Sequence, residues 1–391
     1  MTPATLTRRT MALTLLPFCL LPDTVRAAGT PDAVASALDR IYRPLAAAHD
    51  VPGMAVAVTA GGRHWFRNYG VASREDGIPV TEHTLFEIGS ISKIFTGTLA
   101  AYAEAVGALS LEDRPGRYLP SLRDSAIDRA SLLHLGTYTA GGLPLQFPAG
   151  VTGDAGMIEY FRQWTPASEP GKQRRYSNPS IGLLGHVTAS AMGDGYRALA
   201  ERELFPRLGL PHTHIRIPEA EMDRYAWGYG RDNAPIRVNP GVLDAEAYGV
   251  KSSAADLIRL LDGNLRPSSL HNPVRRAVER TQSGYFSTGD MAQGLGWERY
   301  VAPVTLERML AGNSSTMALE AQAVTPLPPA AVAGQPFLFN KTGSTNGFGG
   351  YLAFRPDKGV GLVMLANRNI PNAARVTAAH AVLEQFSAHA P

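Results

Sequence analysis

The sequence predicts an antiparallel β-sheet flanked by N- and C-terminal helices, with a mostly helical region inserted between the two parts of the sheet. One helical pattern and two strand-like segments lie near the N-terminus, and three strand-like segments and a helical pattern lie near the C-terminus. The chain between them carries helical patterns broken by Gly- and Pro-rich loops. This combination is typical of an α/β layer that both ends of the chain build, with an α region added to it.

The individual elements follow from local patterns along the chain. Val34, Leu38, Ile41 and Leu45 recur at helical spacing, and they predict a first amphipathic helix that ends near Asp50. The other predicted elements are strands at 53–59, 63–69, 335–343, 349–356 and 359–366, a helix from Ser90 to about Ala105, and a last helix that Asn372 caps and that ends near Phe386.

The first 27 residues have the pattern of an export signal. Arg8-Arg9 precede an apolar run at 11–21 that is too short to span a bilayer, and Val25-Arg26-Ala27 suits a cleavage site. The arginine pair also occurs in twin-arginine signals, but the ordinary export signal is slightly favoured. Cys19, the only cysteine, lies in this segment, so we expect a mature chain without disulfides. In a Gram-negative source the protein would be periplasmic.

The rest of the chain is predicted to form two units. Residues 28–85 and 310–391 make the α/β sheet domain, and residues 86–309 make the inserted helical region, which also contains some strands. We expect the functional site to lie between the two units.

The charge balance argues against several classes of partner. Cleavage after residue 27 removes Arg8, Arg9, Arg26 and Asp23, so the formal charge falls from +3 to +1. A nearly neutral chain without a basic run is not typical of proteins that bind nucleic acid or acidic membranes. No segment after the signal has the length and hydrophobicity of a membrane span.

Ser90 and Lys93 form the pattern from which a function is inferred. They lie three residues apart at a predicted helix start, so the Lys93 ammonium can reach the Ser90 hydroxyl. A serine nucleophile needs a neighbouring base, and burial or a nearby cation would lower the pKa of Lys93 toward that role. An isolated Ser-x-x-Lys is a weak signal, because a capping serine followed by a surface lysine gives the same pattern.

Two further motifs strengthen this interpretation. A Tyr-x-Asn at 176–178 lies in a loop before an apolar helix, and a Lys-Thr-Gly at 341–343 ends a predicted strand. Gly343 lets a ligand approach the backbone, and Lys341 places a cation beside it. Each motif alone also suits a packed tyrosine or a strand that ends in a turn. Together and in this order they predict one cleft, and the set is typical of the serine penicillin-recognising enzymes.

Along nearly all of its mature length the chain resembles a class C (AmpC-type) serine β-lactamase. The resemblance rests on the three motifs and on longer runs at 85–93, 132–146, 243–252, 293–298, 340–351 and 364–375. It implies the β-lactamase/transpeptidase-like fold and hydrolysis of the β-lactam amide of cephalosporins and penicillins. It also implies a monomer whose partner is a small-molecule substrate, with no cofactor and no metal.

The resemblance assigns a role to each residue of the motifs. Ser90 is the nucleophile that forms an acyl-enzyme, and Lys93, Tyr176 and Lys341 complete the catalytic group. The general base is either a neutral Lys93 or a Tyr176 phenolate. Both alternatives stay open, because two cations would lower the pKa of the tyrosine and each lysine would lower that of the other. The backbone N–H groups of Ser90 and Ser344 are expected to form the oxyanion hole.

Other positions match substrate contacts of the family. Gln146 and Asn178 match the residues that bind the amide side chain of the substrate, and Tyr248 matches the wall against which that side chain packs. The residues expected around the substrate carboxylate and the strand edge beside it are Lys341, Thr342, Gly343, Ser344, Asn372 and Arg375. Gly136, Ser177 and the run 344–346 depart from the commonest family residues, and we expect them to affect the range of cephalosporins rather than the reaction.

Alternative functions fit the sequence less well. His212-Thr213-His214 is the only His-x-His, and no aspartate or further histidine follows at ligand spacing, which argues against a zinc hydrolase. A Gly-x-Ser-x-Gly elbow and a Glu-x-x-Leu-Asn motif are both missing. A D-alanyl-D-alanine carboxypeptidase, a related esterase and a non-catalytic β-lactam sensor remain as alternatives. Turnover of a cephalosporin separates all three from a lactamase.

Overall fold

The computed structural model describes residues 31–328 and 336–387. The export signal predicted at 1–27 lies outside these residues. Within the described ranges, no helix combines the length and the apolar character needed to cross a membrane.

Thirteen α-helices, most of them in the middle of the chain, are present in the described ranges. They are α1 (Pro31–Ala48), α2 (Ser92–Ala105), α3 (Leu132–Gly136), α4 (Gly153–Gln163), α5 (Asn178–Met192), α6 (Tyr196–Leu199), α7 (Phe205–Arg207), α8 (Asp244–Ala247), α9 (Ala254–Leu265), α10 (Val274–Gln282), α11 (Leu306–Gly312), α12 (Ser315–Leu319) and α13 (Asn372–Ser387).

Fifteen strands lie in the same ranges. They are β1 (Gly53–Ala60), β2 (Arg63–Gly70), β3 (Phe86–Glu87), β4 (Gln173–Arg174), β5 (Gly228–Tyr229), β6 (Pro235–Ile236), β7 (Lys251–Ser252), β8 (Phe286–Thr288), β9 (Met291–Gln293), β10 (Glu298–Val301), β11 (Gln322–Ala323), β12 (Thr325–Pro326), β13 (Phe337–Ser344), β14 (Gly349–Arg355) and β15 (Val360–Ala366).

Nine strands form one antiparallel sheet in the order β12-β8-β9-β10-β13-β14-β15-β1-β2. Pairing of β1 with β15 joins the two ends of the chain, with Met54 opposite Ala366 and Ala60 opposite Val360. The predicted fold class, an antiparallel sheet flanked by terminal helices with an inserted helical region, is therefore confirmed.

The sheet takes more strands from the middle of the chain than we predicted. β8, β9 and β10 all precede residue 310, the predicted start of the second sheet segment, and β10 pairs with β13. Their short length hides them in the sequence, because three or four residues carry too little alternation to predict a strand. The division into two units stays a prediction.

Both faces of the sheet are covered, so its central strands are apolar on both sides. In β1, Ala55 and Ala57 face a large core shared with the inserted helices, whereas Val56 and Val58 face a smaller core under α1 and α13. Successive side chains of a strand point to opposite faces, so burial of every β1 residue requires a layer on each side.

Asn367, just after β15, holds three neighbouring segments of the sheet together. Its side chain is fully buried; Oδ1 accepts from Gly53 N at 2.6 Å, and Nδ2 donates to Val71 O at 3.0 Å. Its own backbone N–H donates to Gly53 O at 3.1 Å. One side chain therefore holds the start of β1 and the segment after β2 against the end of β15.

We expect Asn367→Ala to destabilise the fold, because it leaves the Gly53 N–H and the Val71 carbonyl buried without partners. Loss of two such bonds corresponds to about 2–4 kcal/mol in the free energy of unfolding. Urea denaturation of the variant and of Asn239→Ala, an exposed asparagine for which the structure shows no hydrogen bond, measures the difference. Equal midpoints for the two variants would contradict this account.

Candidate active site

Ser90 lies in a tight turn that is pressed against the end of β13. A 3-10 turn spans Gly89–Ile91, and α2 begins two residues after Ser90 rather than at it, a small correction to the predicted helix start. Gly89 has φ +52°. A Cβ at Gly89 would overlap the backbone of Ser344, and one at Gly343 would overlap the Ile88 carbonyl. Only glycine permits this close approach at both positions.

Lys93 lies one turn along, beneath Ser90. Its side chain is fully buried, and Nζ donates to Ser90 Oγ at 3.0 Å and to the Ala247 carbonyl at 2.7 Å. Burial, more than any other factor, lowers the pKa of Lys93 to about 8, and the charge of Lys341 lowers it further while Tyr176 opposes the change. A neutral amine is therefore accessible near neutral pH.

Tyr176 is held between the two lysines of the motifs. The Tyr176 ring centroid is 5.1 Å from Lys93 Nζ and 5.0 Å from Lys341 Nζ, and the Tyr138 ring packs 4.7 Å away. The phenol oxygen is buried and has no hydrogen-bond partner among the described residues. Burial by itself would raise the pKa of Tyr176, but the charges of Lys341 and Lys93 lower it below its ordinary value.

A buried carboxylate that we did not predict completes this charge cluster. Oε1 of Glu298, on β10, lies 3.5 Å from Lys341 Nζ and 3.5 Å from Arg174 Nη2. All three side chains are almost fully buried. Burial lowers the pKa of Lys341, yet the charges of Glu298 and Tyr176 outweigh it, so the pKa is raised. The pKa of Lys341 is therefore raised while that of Lys93 is lowered, although both are lysines beside the same phenol.

Arg174 is fixed on its other sides by neutral groups. Its Nε donates to Gln293 Oε1 at 2.8 Å, and Nη1 donates to the Met317 carbonyl at 2.9 Å. The pairing of β10 with β13 places Glu298 opposite Asn340, one residue before Lys341. The sequence could have indicated this contact, because a glutamate opposite Asn340 lies next to Lys341. That inference requires the short strand β10, which the sequence did not predict.

The predicted site residues line three adjoining cavities, except for Lys93, which lies behind Ser90. Ser90 and Ser344 line two of these cavities, of about 160 and 430 Å³. Tyr176, Lys341, Thr342, Gly343 and Asn372 line the first, and Gln146, Asn178 and Tyr248 line the second. Arg375 lines the third, together with Ser344 and Asn372. Asn313, which was not predicted, also faces the first cavity.

Arg375 was predicted to lie near the substrate carboxylate, but its guanidinium is buried and bonded to protein groups. It is 2% exposed, and its Nη groups donate to the Gly343 and Gly350 carbonyls at 2.6 and 2.9 Å. It also donates to Ser344 Oγ at 2.8 Å and to Asn372 Oδ1 at 2.6 Å. These bonds hold Asn372 and Ser344 in place and leave few donors of Arg375 free for a substrate anion.

The departures from the family pattern have local structural explanations. A Cβ at Gly136 would lie 2.5 Å from Leu295 Cδ2 and 3.0 Å from Leu184 Cδ2, so alanine there requires these leucines to move. Ser177 caps α5 by accepting from Ser180 N at 3.1 Å. Thr345 Oγ1 donates to Glu87 Oε2 at 2.6 Å and so fastens the end of β13 to β3, which leads into the Ser90 turn.

The chain is similar to known β-lactamases over most of its length. A family model described as Beta-lactamase matches residues 38–386. A beta-lactamase of Pseudomonas fluorescens is 50% identical over 346 residues, covering 88% of this chain and 97% of the relative.

Solved structures agree with the sequence comparison. A class C beta-lactamase from Rhodobacter sphaeroides has 47% identity and a TM-score of 0.87, covering 90% of this chain and 99% of that one. A class C beta-lactamase in complex with cefoxitin has 40% identity and a TM-score of 0.86, with coverage of 91% and 99%. A structure described as a beta-lactamase/D-alanine carboxypeptidase from Pseudomonas syringae has 45% identity and a TM-score of 0.88, with coverage of 90% and 99%. The chain therefore belongs to the beta-lactamase family, as a class C serine β-lactamase.

Proposed function

We propose that this enzyme opens the β-lactam amide by attack of the Ser90 hydroxyl on the lactam carbonyl carbon. The C–N bond of the ring breaks, the acyl group stays on Ser90 Oγ, and the ring nitrogen takes up a proton. Water then cleaves the ester and releases Ser90. The observation that carries this proposal is the 3.0 Å contact between Lys93 Nζ and Ser90 Oγ, beside a buried phenol flanked by two lysines.

Two groups are candidates for accepting the proton of Ser90. Lys93 is in direct contact with Oγ, and its lowered pKa gives a neutral fraction at neutral pH. Tyr176 also has a lowered pKa, and its unpartnered oxygen suits a group that exchanges protons during the cycle. The titration belongs to the cluster rather than to one residue, because each group changes the charge that the others experience.

The remaining residues are proposed to orient the substrate. The backbone N–H groups of Ser90 and Ser344, which the glycine contacts bring close together, would stabilise the oxyanion. Gln146 and Asn178 would bind the amide side chain in the cavity that Tyr248 closes. Thr342 and Asn372 face the other cavity, where Lys341 supplies the positive charge for the substrate carboxylate.

The cellular setting is also part of the proposal. We propose export from a Gram-negative cell and action in the periplasm as a monomer. The charged start, the apolar run and the small-residue cleavage site in the first 27 residues support export.

A D-alanyl-D-alanine carboxypeptidase activity is the second candidate. It would use the same acylation chemistry on a peptide, with release of D-alanine in place of ring opening. Its support is the similarity of this chain to the Pseudomonas syringae structure described as a beta-lactamase/D-alanine carboxypeptidase.

We expect Ser90→Ala to abolish turnover of a chromogenic cephalosporin, because the variant has no hydroxyl to form the ester. Loss of the nucleophile lowers the rate by about 10⁴-fold or more. Absorbance measures turnover, and mass spectrometry of the intact protein measures the acyl adduct. Wild type should show fast turnover with a transient adduct on Ser90, and the alanine variant should show neither.

Ser131→Ala is the matched control, since Ser131 caps α3 and lines none of the three cavities. Undiminished hydrolysis by the Ser90→Ala protein would refute the serine mechanism. A stable stoichiometric adduct on wild type, with D-alanine released from a peptide substrate, would favour the carboxypeptidase.

We expect Glu298→Gln to move both limbs of the pH profile of kcat/KM to lower pH. Glu298 raises the pKa values of Lys341, Lys93 and Tyr176, so removing its charge favours the deprotonated form of each group. The base then loses its proton at lower pH, and Lys341 loses its charge at lower pH. Charges at this separation correspond to shifts of about one pH unit.

Glu159→Gln, an exposed glutamate on α4, is the control and should leave the profile in place. The Glu298 variant should also melt earlier, because Arg174 and Lys341 stay buried with one counter-charge fewer. A profile that keeps its position or moves to higher pH would contradict the electrostatic role of Glu298.

A further inference from the structure

Two histidines that the reaction does not use meet a glutamate in the inserted region. His212 Nδ1 lies 2.9 Å from Glu221 Oε2, and His214 Nε2 lies 3.3 Å from Glu221 Oε1. The candidate ligand atoms all lie within 4.8 Å of one another. Among the described residues, no other group of His, Cys, Asp or Glu side chains meets this criterion. None of the three residues lines a cavity that Ser90 lines.

The chemistry of these three groups matches a transition-metal site. Two imidazoles and one carboxylate are a common ligand set for Zn²⁺. Tetrahedral ligands about 2.0–2.1 Å from zinc lie about 3.3–3.4 Å apart. The two distances from histidine to glutamate, 2.9 and 3.3 Å, are close to this value, and the two histidine nitrogens lie within 4.8 Å of each other. A sequence criterion that looked for a further histidine or aspartate missed Glu221, which follows His214 by seven residues.

His214 carries an independent sign that a ligand is needed. Its Nε2 is buried and makes no hydrogen bond within the described residues, although a Glu221 oxygen lies 3.3 Å away. His214 also lines a cavity of about 590 Å³ between α7 and α9, which provides a path to solvent. A buried nitrogen without a hydrogen bond is costly unless something binds it.

A cation already lies beside the group. Arg224 Nη1 is 2.9 Å from Glu221 Oε2 and 3.0 Å from His212 Nδ1. Arg224 Nη2 and Nε donate to the His83 carbonyl at 3.0 and 3.3 Å. These two bonds can hold the arginine when Nη1 leaves the carboxylate. The arginine therefore neutralises the Glu221 carboxylate in the absence of a metal ion, and a divalent ion would bring a larger positive charge to the same group.

We propose that His212, His214 and Glu221 form a binding site for a divalent transition-metal ion, with Zn²⁺ as the probe ion. The ion joins two segments of the inserted region and competes with Arg224 for the carboxylate. The site is structural: it is separate from the serine chemistry, and its ion takes no part in the reaction at Ser90.

The site is attached to the strand that leads to Ser90. His214 and Lys251 exchange backbone hydrogen bonds of 2.9 and 2.7 Å, and Lys251 pairs with Glu87 in β3. On the other side, Leu85 N donates to the Arg224 carbonyl at 2.8 Å. An ion bound to His214 and Glu221 would therefore hold together the two segments that contact residues 85–87, directly through Arg224 and indirectly through Lys251. We expect its main effect to be on stability.

The experiment measures Zn²⁺ binding to the full mature chain, prepared without a polyhistidine tag. Competition with a fluorescent chelator should give one ion per chain. Thermal melting in chelator-buffered Zn²⁺ at about 100 times Kd should rise by about 3–5 °C. His212→Ala/His214→Ala and Glu221→Gln should each weaken binding by at least about tenfold. His271→Ala, a change at an exposed histidine, should bind as wild type does.

Arg224→Gln gives a test in the opposite direction. Removing a positive charge about 4 Å from the ion should tighten binding by about fivefold or more. Less than 0.5 ion per chain, unchanged affinity in the double histidine variant, or equal or weaker binding by Arg224→Gln would overturn the proposal. Ser90 is intact in all of these variants, so cephalosporin turnover tests the proposed function separately.

Discussion

The active site depends on one backbone contact, the packing of the Ser90 turn against the end of β13. Gly89 packs against the backbone of Ser344, and Gly343 packs against the Ile88 carbonyl. Both distances are too short for a residue with a Cβ atom. β13 belongs to the sheet and α2 to the inserted helices, so this contact joins the two layers at Ser90. Every group on the strand edge, from Lys341 to Ser344, is placed relative to Ser90 by it.

Behind that contact lie two buried lysines, Lys93 and Lys341, whose surroundings shift their pKa values in opposite directions. Lys93 touches neutral oxygens, the Ser90 hydroxyl and the Ala247 carbonyl, and its pKa falls. Lys341 lies beside Glu298, and its pKa rises. Two lysines next to one phenol therefore have pKa values that are shifted in opposite directions. The main difference between the two environments is Glu298, whose charge raises the pKa of Lys341 much more directly than that of Lys93.

Sequence reasoning was most reliable where a pattern is long. The terminal helices and the strands β1, β2, β13, β14 and β15 have clear periodicity, and they were predicted to within a few residues of their ends. It failed where partners are distant or elements short. Glu298 meets Lys341 across a four-residue strand, and Glu221 meets the histidines through a 3-10 turn. The roles of the predicted site residues stay predictions, although the structure gathers them around Ser90.

Ser344, one of the departures from the commonest family residues, lies where the three cavities of the candidate site meet. It lines all three cavities, its hydroxyl accepts from Arg375, and its neighbour Thr345 is bonded to Glu87 before the Ser90 turn. A change at 344 or 345 therefore acts on the end of β13 and, through the contacts with Gly89 and Glu87, on the Ser90 turn, whereas Lys93 lies further along, on α2. The strand end and the Ser90 turn pack against each other, so only substitutions that keep the contact between Gly89 and Ser344 can change the shape of the cavities without displacing Ser90.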